Sequence, residues 1–151
     1  RPDENHAMIF DTENPTGEDE DLVVPGADFM KVLIISEDLD STDPDDDDAP
    51  GGAFTFDFSG FGPGYVDIVE FNSIDNEEEG NWEAYNANDD LISSGPIAMI
   101  SDQTSQVVSV NAHDVVTLVI TLKQFLMVML NMVFQILFQT NLVTFMLLTI
   151  M

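Results

Sequence analysis

The chain of 151 residues carries 29 acidic side chains against three basic ones, so its formal net charge is −26 at pH 7. This balance argues against nucleic acid and against an anionic membrane surface as partners, because binding phosphate needs clustered lysine and arginine. No cysteine is present, which excludes disulfide bonds and thiol chemistry. The length fits one domain, or one domain followed by a tail.

The first 30 residues are acidic and rich in turn signals, with one short apolar run at Ala7–Phe10. Asn14-Pro15 is a typical turn dipeptide, and more acidic residues follow it. The chain begins at Arg1 and shows no signal-peptide pattern, so we expect a fragment or a processed product. We predict a loop-like region in this part of the chain.

A strand, an acidic loop and a second strand follow between residues 32 and 58. Val32–Ile35 is a short apolar run, and Glu37–Asp48 holds eight carboxylates in twelve residues. Ala53–Phe58 then alternates, which places three phenylalanines on one face of a half-buried strand. These three are Phe54, Phe56 and Phe58.

Five more strands are predicted at roughly ten-residue spacing, with turn signals between them. They cover residues 65–71, 81–86, 91–100, 106–110 and 115–122. No convincing helix is indicated before residue 122, so residues 1–122 are predicted to form an all-β domain, an antiparallel β-sandwich of the jelly-roll type. In such a sandwich the phenylalanine face should pack against residues of the last two strands. These are Val108, Val110, Val116, Leu118 and Ile120.

The acidic loop is the candidate metal site, because its carboxylates repel one another unless a cation or water screens them. Calcium suits such a loop, since it takes about six to eight oxygen ligands in flexible geometry. The loop is not an EF-hand: counted from Asp43, Asp48 stands where the motif needs glycine and Phe54 where it needs glutamate. The alternative is a solvated loop that aids solubility. The candidate calcium ligands are Asp38, Asp40, Asp43, Asp45 and Asp46, with Asp11 or Asp21 from the first loop.

Trp82 and Tyr85 are the candidate ligand-binding residues, because aromatic faces can stack on sugars. Their spacing of three places them on opposite faces of a strand, which favours core packing for one of them. His6 and His113 lie in no metal-spaced or triad-like pattern. No nucleophile, phosphate-loop or zinc-protease motif occurs, so we predict a protein that is not an enzyme.

Ordered sequence motifs run through most of the chain between residues 7 and 120. They are Ala7–Gly17, Asp19, Asp21-Leu22, Val32–Asp38, Ser41–Asp46, Gly51-Gly52, Phe54–Phe58 and Ile74-Asp75. In these motifs the chain resembles a group of bacterial extracellular proteins, many of which carry PEP-CTERM-type or similar surface-sorting tails. The resemblance implies a secreted jelly roll of the galactose-binding-like type and implies little about the ligand. Ala27–Met30 is an insertion relative to the shorter loop that is usual at this point in those proteins.

Residues 123–151 are predicted to be an apolar tail, which from Gln124 onward contains no charge, glycine or proline. A run of about 20 apolar residues can span a bilayer, and this is one interpretation of the tail. A buried helix, or an aggregation-prone strand used in assembly, is another. We expect the tail to be helical if it is ordered. Four amide side chains interrupt the run, namely Asn131, Gln135, Gln139 and Asn141.

A third interpretation is that the tail translates a shifted reading frame and replaces a closing strand. Five of the eight methionines fall in it. Codons compatible with Leu126–Met151, moved by one base, can be read as a soluble turn and strand. In that reading, glycines arise from Met127-Val128 and from Met132-Val133. The nucleotide sequence of the gene tests this hypothesis.

The sequence therefore predicts a non-catalytic, extracellular or cell-surface module that is stabilised by calcium and binds carbohydrate or a matrix polymer. One alternative is a structural subunit that polymerises through a sheet edge or the apolar tail. Another is a tail-anchored membrane protein with an acidic ectodomain. Each alternative depends on the tail, whose origin the amino-acid sequence leaves open.

Overall fold

In the residues that it describes, the computed structural model is all-β and has ten strands. The described residues are 6–16, 22–27, 29–36, 40–42, 44, 51–123, 127–138 and 142–147. The strands are β1 (His6–Asp11), β2 (Lys31–Ser36), β3 (Gly52–Asp57), β4 (Val66–Ile74), β5 (Gly80–Tyr85), β6 (Leu91–Ile97), β7 (Ser105–Val115), β8 (Thr117–Leu122), β9 (Met127–Phe138) and β10 (Leu142–Leu147).

The strands form two antiparallel sheets. The first has the order β1-β2-β9-β4-β7, with β10 paired to β9, and the second has the order β3-β8-β5-β6. The pairs β2·β9, β3·β8, β4·β7 and β5·β6 are nested along the chain, as in a long hairpin folded over on itself. This nesting is the arrangement of an eight-stranded jelly roll, and the predicted antiparallel sandwich is confirmed.

The main core lies between the two sheets and contains the predicted phenylalanine face. Phe54 and Phe58 are buried there, and Phe56 packs against the same cluster from a half-buried position. One predicted contact is wrong, because Val115 is buried in this cluster in place of Val116. Asp114 has a positive φ of 56°, and this left-handed residue at the end of β7 shifts the in-out alternation. The other predicted partners, all buried in the cluster, are Val108, Val110, Leu118 and Ile120.

A second, smaller core lies on the other face of the first sheet. It joins Phe10 of β1 and Ile74 of β4 to Leu22 of the connection between β1 and β2, together with Val32 and Ile34. The apolar run that we assigned to a loop-like region is thus the edge strand β1, paired with β2 in register. Because β2 also contributes to the main core, it is apolar on both faces.

β9 and β10 come from the apolar tail, for which we predicted a helix, and the structure corrects this expectation. β9 pairs with β4 from Asp67 to Ile74 and with β2 at Leu33 and Ile34. An apolar run by itself does not distinguish a strand from a helix, so this composition suits a strand as well as a helix. Within the described ranges, no helix has the length and apolar character needed to cross a membrane.

Candidate functional site

The residues predicted to bind calcium fall mainly outside the described part of the chain. Asp11 and Asp40 are described. Asp11 forms a salt bridge with Lys31, in which its Oδ2 accepts a hydrogen bond from Lys31 Nζ at 2.8 Å. This bond, with a further one from the Glu13 backbone N–H, lowers the pKa of Asp11. The predicted ligands that lie outside the described residues are Asp21, Asp38, Asp43, Asp45 and Asp46.

The described residues do bring the two acidic segments next to each other. Thr16 Oγ1, in the turn after β1, donates a hydrogen bond to the Pro44 carbonyl at 2.7 Å. Asp40 Oδ1 accepts hydrogen bonds from the hydroxyl and the backbone N–H of Thr42, which lower the pKa of its exposed carboxyl group. Among the residues that the structure describes, no group of three or more metal-ligating side chains is found. Calcium binding by the loop stays a prediction.

Trp82 and Tyr85 lie on opposite faces of β5, as their spacing indicates. Trp82 is 4% exposed and belongs to the core between the sheets. Tyr85 is half-buried on the outer face of the second sheet, and its partial desolvation, with the neighbouring Glu83 carboxylate, raises its pKa. The two aromatic side chains therefore cannot form one stacking platform, and Trp82 lines a cavity.

A glycine opposite Trp82 decides where the indole lies. Trp82 and Gly95 are direct partners in the β5·β6 pair. A Cβ atom built on Gly95 would stand 2.9 Å from Trp82 Nε1 and 3.0 Å from Trp82 Cε2, closer than real Cβ contacts allow. The indole consequently packs across the bare backbone of β6, which is the edge strand of its sheet. Pro96 follows on the same strand, where a missing N–H is tolerated.

The indole lines a cleft between the edge strands of the two sheets. β6 forms one wall of this cleft and β7 the other, and its volume is about 560 Å³. The cleft is lined by a mixture of polar and apolar groups, and none of its lining residues is charged. Besides Trp82 and Gly95, the lining includes Ser93, Ser94, Gln106, Val107 and Ser109. We name it the Trp82 cleft.

One end of the Trp82 cleft is fixed by a set of polar contacts. Asn76, which is 1% exposed, donates from Nδ2 to the Ala98 carbonyl, and Gln106 Nε2 donates to the same carbonyl at 2.6 Å. Asp75, in the left-handed region with φ 53°, accepts the Gln103 N–H at 2.9 Å. These contacts connect the end of β4 to the segment between β6 and β7, so the two walls are held at a defined separation.

A second polar arrangement, which the sequence did not reveal, joins β4 to the far end of β7. Asp67 is 8% exposed; its Oδ1 accepts the Asp114 N–H at 3.0 Å, and its Oδ2 lies 3.0 Å from His113 Nδ1. The hydrogen bond and the charge of Asp67 raise the pKa of the exposed His113. Asp67 and His113 are far apart in sequence, and only the β4·β7 register could have indicated their contact.

Comparison of the chain with protein-family models, with curated proteins and with solved structures found no significant match. The functional argument therefore depends on the Trp82 cleft and on the charges around it.

Proposed function

We propose that this protein is a non-catalytic, extracellular or cell-surface module that binds carbohydrate in the Trp82 cleft. The observation that carries the proposal is the cleft itself: an uncharged, serine-rich groove beside an indole, in a chain of net charge −26. Serine hydroxyls and the Gln106 amide both donate and accept hydrogen bonds, as recognition of sugar hydroxyls requires. The indole, which is 4% exposed, adds apolar surface to the lining of the cleft.

The size of the cleft is consistent with this function. Its volume of about 560 Å³ lies within the usual range for small-molecule sites, about 300–1,000 Å³. The walls are β-strands held by polar contacts at one end, so the groups that face the ligand are positioned before it binds. Such preorganisation reduces the entropic cost of binding.

We further propose that calcium binds the acidic segments and stabilises the fold. The supporting contact is the Thr16–Pro44 hydrogen bond, which brings the turn after β1 against the acidic loop. Clustered carboxylate oxygens suit hard cations, and calcium accepts about six to eight of them in flexible geometry. In this proposal the metal has no catalytic role and lies apart from the Trp82 cleft.

The test is co-sedimentation of the full chain with a panel of insoluble polysaccharides, comparing wild type with Gly95→Ala and Gly60→Ala. The added methyl group at position 95 must displace the indole, so we expect at least about tenfold weaker binding, which corresponds to about 1.4 kcal/mol. A methyl group at position 60 meets nothing within 4 Å and is the matched control.

Thermal melts of both variants separate a binding defect from unfolding. If Gly95→Ala melts cooperatively and binds as wild type does, the Trp82 cleft is not the ligand site. If the wild type sediments with no member of the panel, the proposed carbohydrate binding is wrong.

A further inference from the structure

The charge of the chain is distributed unevenly, and the Trp82 cleft lies in the neutral part. Between residues 91 and 112, which include β6 and most of β7, Asp102 is the only charged residue. The chain as a whole has 29 acids in 151 residues, about four for a stretch of this length. Both walls of the cleft are thus depleted of the carboxylates that are frequent before residue 91.

The surrounding charge acts on any ligand that approaches the cleft. A net charge of −26 produces a negative potential that lowers the local concentration of anions and slows their association. This repulsion extends about 30 Å at 10 mM salt and about 3 Å at 1 M salt. A neutral ligand does not experience it. Nor does the cleft offer a carboxylate that would pair with a bound cation, because none of its lining residues is charged.

The side chains in the cleft are also those of a neutral site. Ser93 and Ser109 are polar lining residues on the two walls, and Gln106 is a third. A carboxylate or sulfate group placed among them would be desolvated without a cationic partner, which is costly. Val107, 57% exposed at the rim, adds apolar surface for the less polar side of a sugar.

We propose that the Trp82 cleft is selective for neutral polysaccharide and rejects polymers that carry carboxylate or sulfate groups. The inference rests on the proposed carbohydrate binding and names the ligand class of that site. Two physical causes act together: long-range repulsion by the acidic chain, and the lack of a cationic partner among the residues lining the cleft. The first cause depends on salt and the second does not, so they can be separated.

The test measures affinity of the full chain by calorimetry for a soluble neutral glucan and for its carboxymethylated derivative, each in about 10 mM and about 1 M salt. We expect binding of the neutral glucan to change less than about twofold with salt. The carboxymethylated polymer should bind at least about tenfold more weakly at low salt and recover only part of this loss at high salt.

Val107→Lys tests the local cause, because it places one cation at the rim of the cleft. The loss of the valine contact acts on both polymers, so the ratio of the affinity for the carboxymethylated polymer to that for the neutral glucan should rise at least about threefold. Thr55→Lys is the matched control, because it changes the net charge by the same amount. Thr55 is exposed on β3, which is the edge strand of the second sheet on the side away from β6. It should have little effect on either polymer.

The outcomes distinguish this inference from the proposed function. Equal affinity of wild type for the two polymers overturns the neutral selectivity and leaves carbohydrate binding intact. Equal effects of Val107→Lys and Thr55→Lys would show that the cleft does not discriminate locally, which also overturns the inference. Absence of binding to both polymers contradicts the proposed function itself.

Discussion

The contact between Asp67 and His113 gives the stability of this protein a defined dependence on pH. The folded structure raises the pKa of His113 above its unfolded value of about 6.5, mainly through the hydrogen bond to Asp67. Its contribution to stability is therefore fully present below about pH 6.5 and is lost as pH rises through the raised pKa. We predict that His113→Gln lowers the melting temperature more at about pH 5.5 than at about pH 9.

A double-mutant cycle supplies the control for this prediction. The charged groups that face His113 from β4 and β7 are Asp67 and Asp114, and β9, which also pairs with β4, has no titratable residue. In an Asp67→Asn background, His113→Gln should therefore lose most of its pH-dependent effect. An effect of His113→Gln that is the same at both pH values would show that the pair does not contribute to folding.

Residue-level prediction from the sequence succeeded where the spacing alone decides the geometry. The spacing of Trp82 and Tyr85 places them on opposite faces of one strand whatever the rest of the fold. Gly95 was different: β6 continues through Gly95 and Pro96, two residue types that usually weaken or interrupt a strand. Its role depends on the cross-strand partner, Trp82, and the sequence does not specify which strands pair.

Among the secondary-structure elements, β9 is the one whose position explains most of the topology. It completes the nested series of pairs and lies between β2 and β4, where a jelly roll needs its closing strand. The frameshift hypothesis concerns this same segment, and the order of bases in the gene still tests it. Periodicity could not separate helix from strand here, because β9 is apolar at ten of its twelve positions and has too few polar residues to define a period.

The acidic segments lead to a prediction about calcium binding by the loops. If calcium binds the folded chain only, a concentration of about 100 times the dissociation constant stabilises it by about 2.7 kcal/mol. For a chain of this size that corresponds to a rise in melting temperature of roughly 5–10 °C. We predict such a rise in calcium, its loss in chelator, and a smaller effect of magnesium.

Two aspartates provide a matched comparison for the calcium melt. Asp40 and Asp57 are both exposed and each accepts the N–H of the residue two positions later. Only Asp40 is a predicted ligand, so Asp40→Asn should reduce the calcium-induced rise and Asp57→Asn should not. An equal calcium-induced rise in the two variants, or a wild-type melting temperature that is insensitive to calcium, would show that the loop is a solvated surface.

For the whole molecule, the sandwich architecture was predictable and the cleft was not. Strands with alternating apolar and polar residues, regularly spaced along the chain, indicate two packed sheets. The Phe54–Phe58 face was placed correctly in the core. The Trp82 cleft arises because β6 and β7 are the edge strands on one side of the two sheets. That juxtaposition follows from the topology of all the strands together, which local sequence patterns do not contain.

The most direct test of the central claim uses the intrinsic fluorescence of the chain, which contains a single tryptophan. Trp82 lines the cleft, so titration of the full chain with a soluble neutral oligosaccharide should produce a saturable change in emission. The Gly95→Ala variant should respond with a markedly weaker apparent affinity. A titration in which the emission of the folded wild type stays constant, while binding is detected by sedimentation, would place the ligand elsewhere and contradict this account.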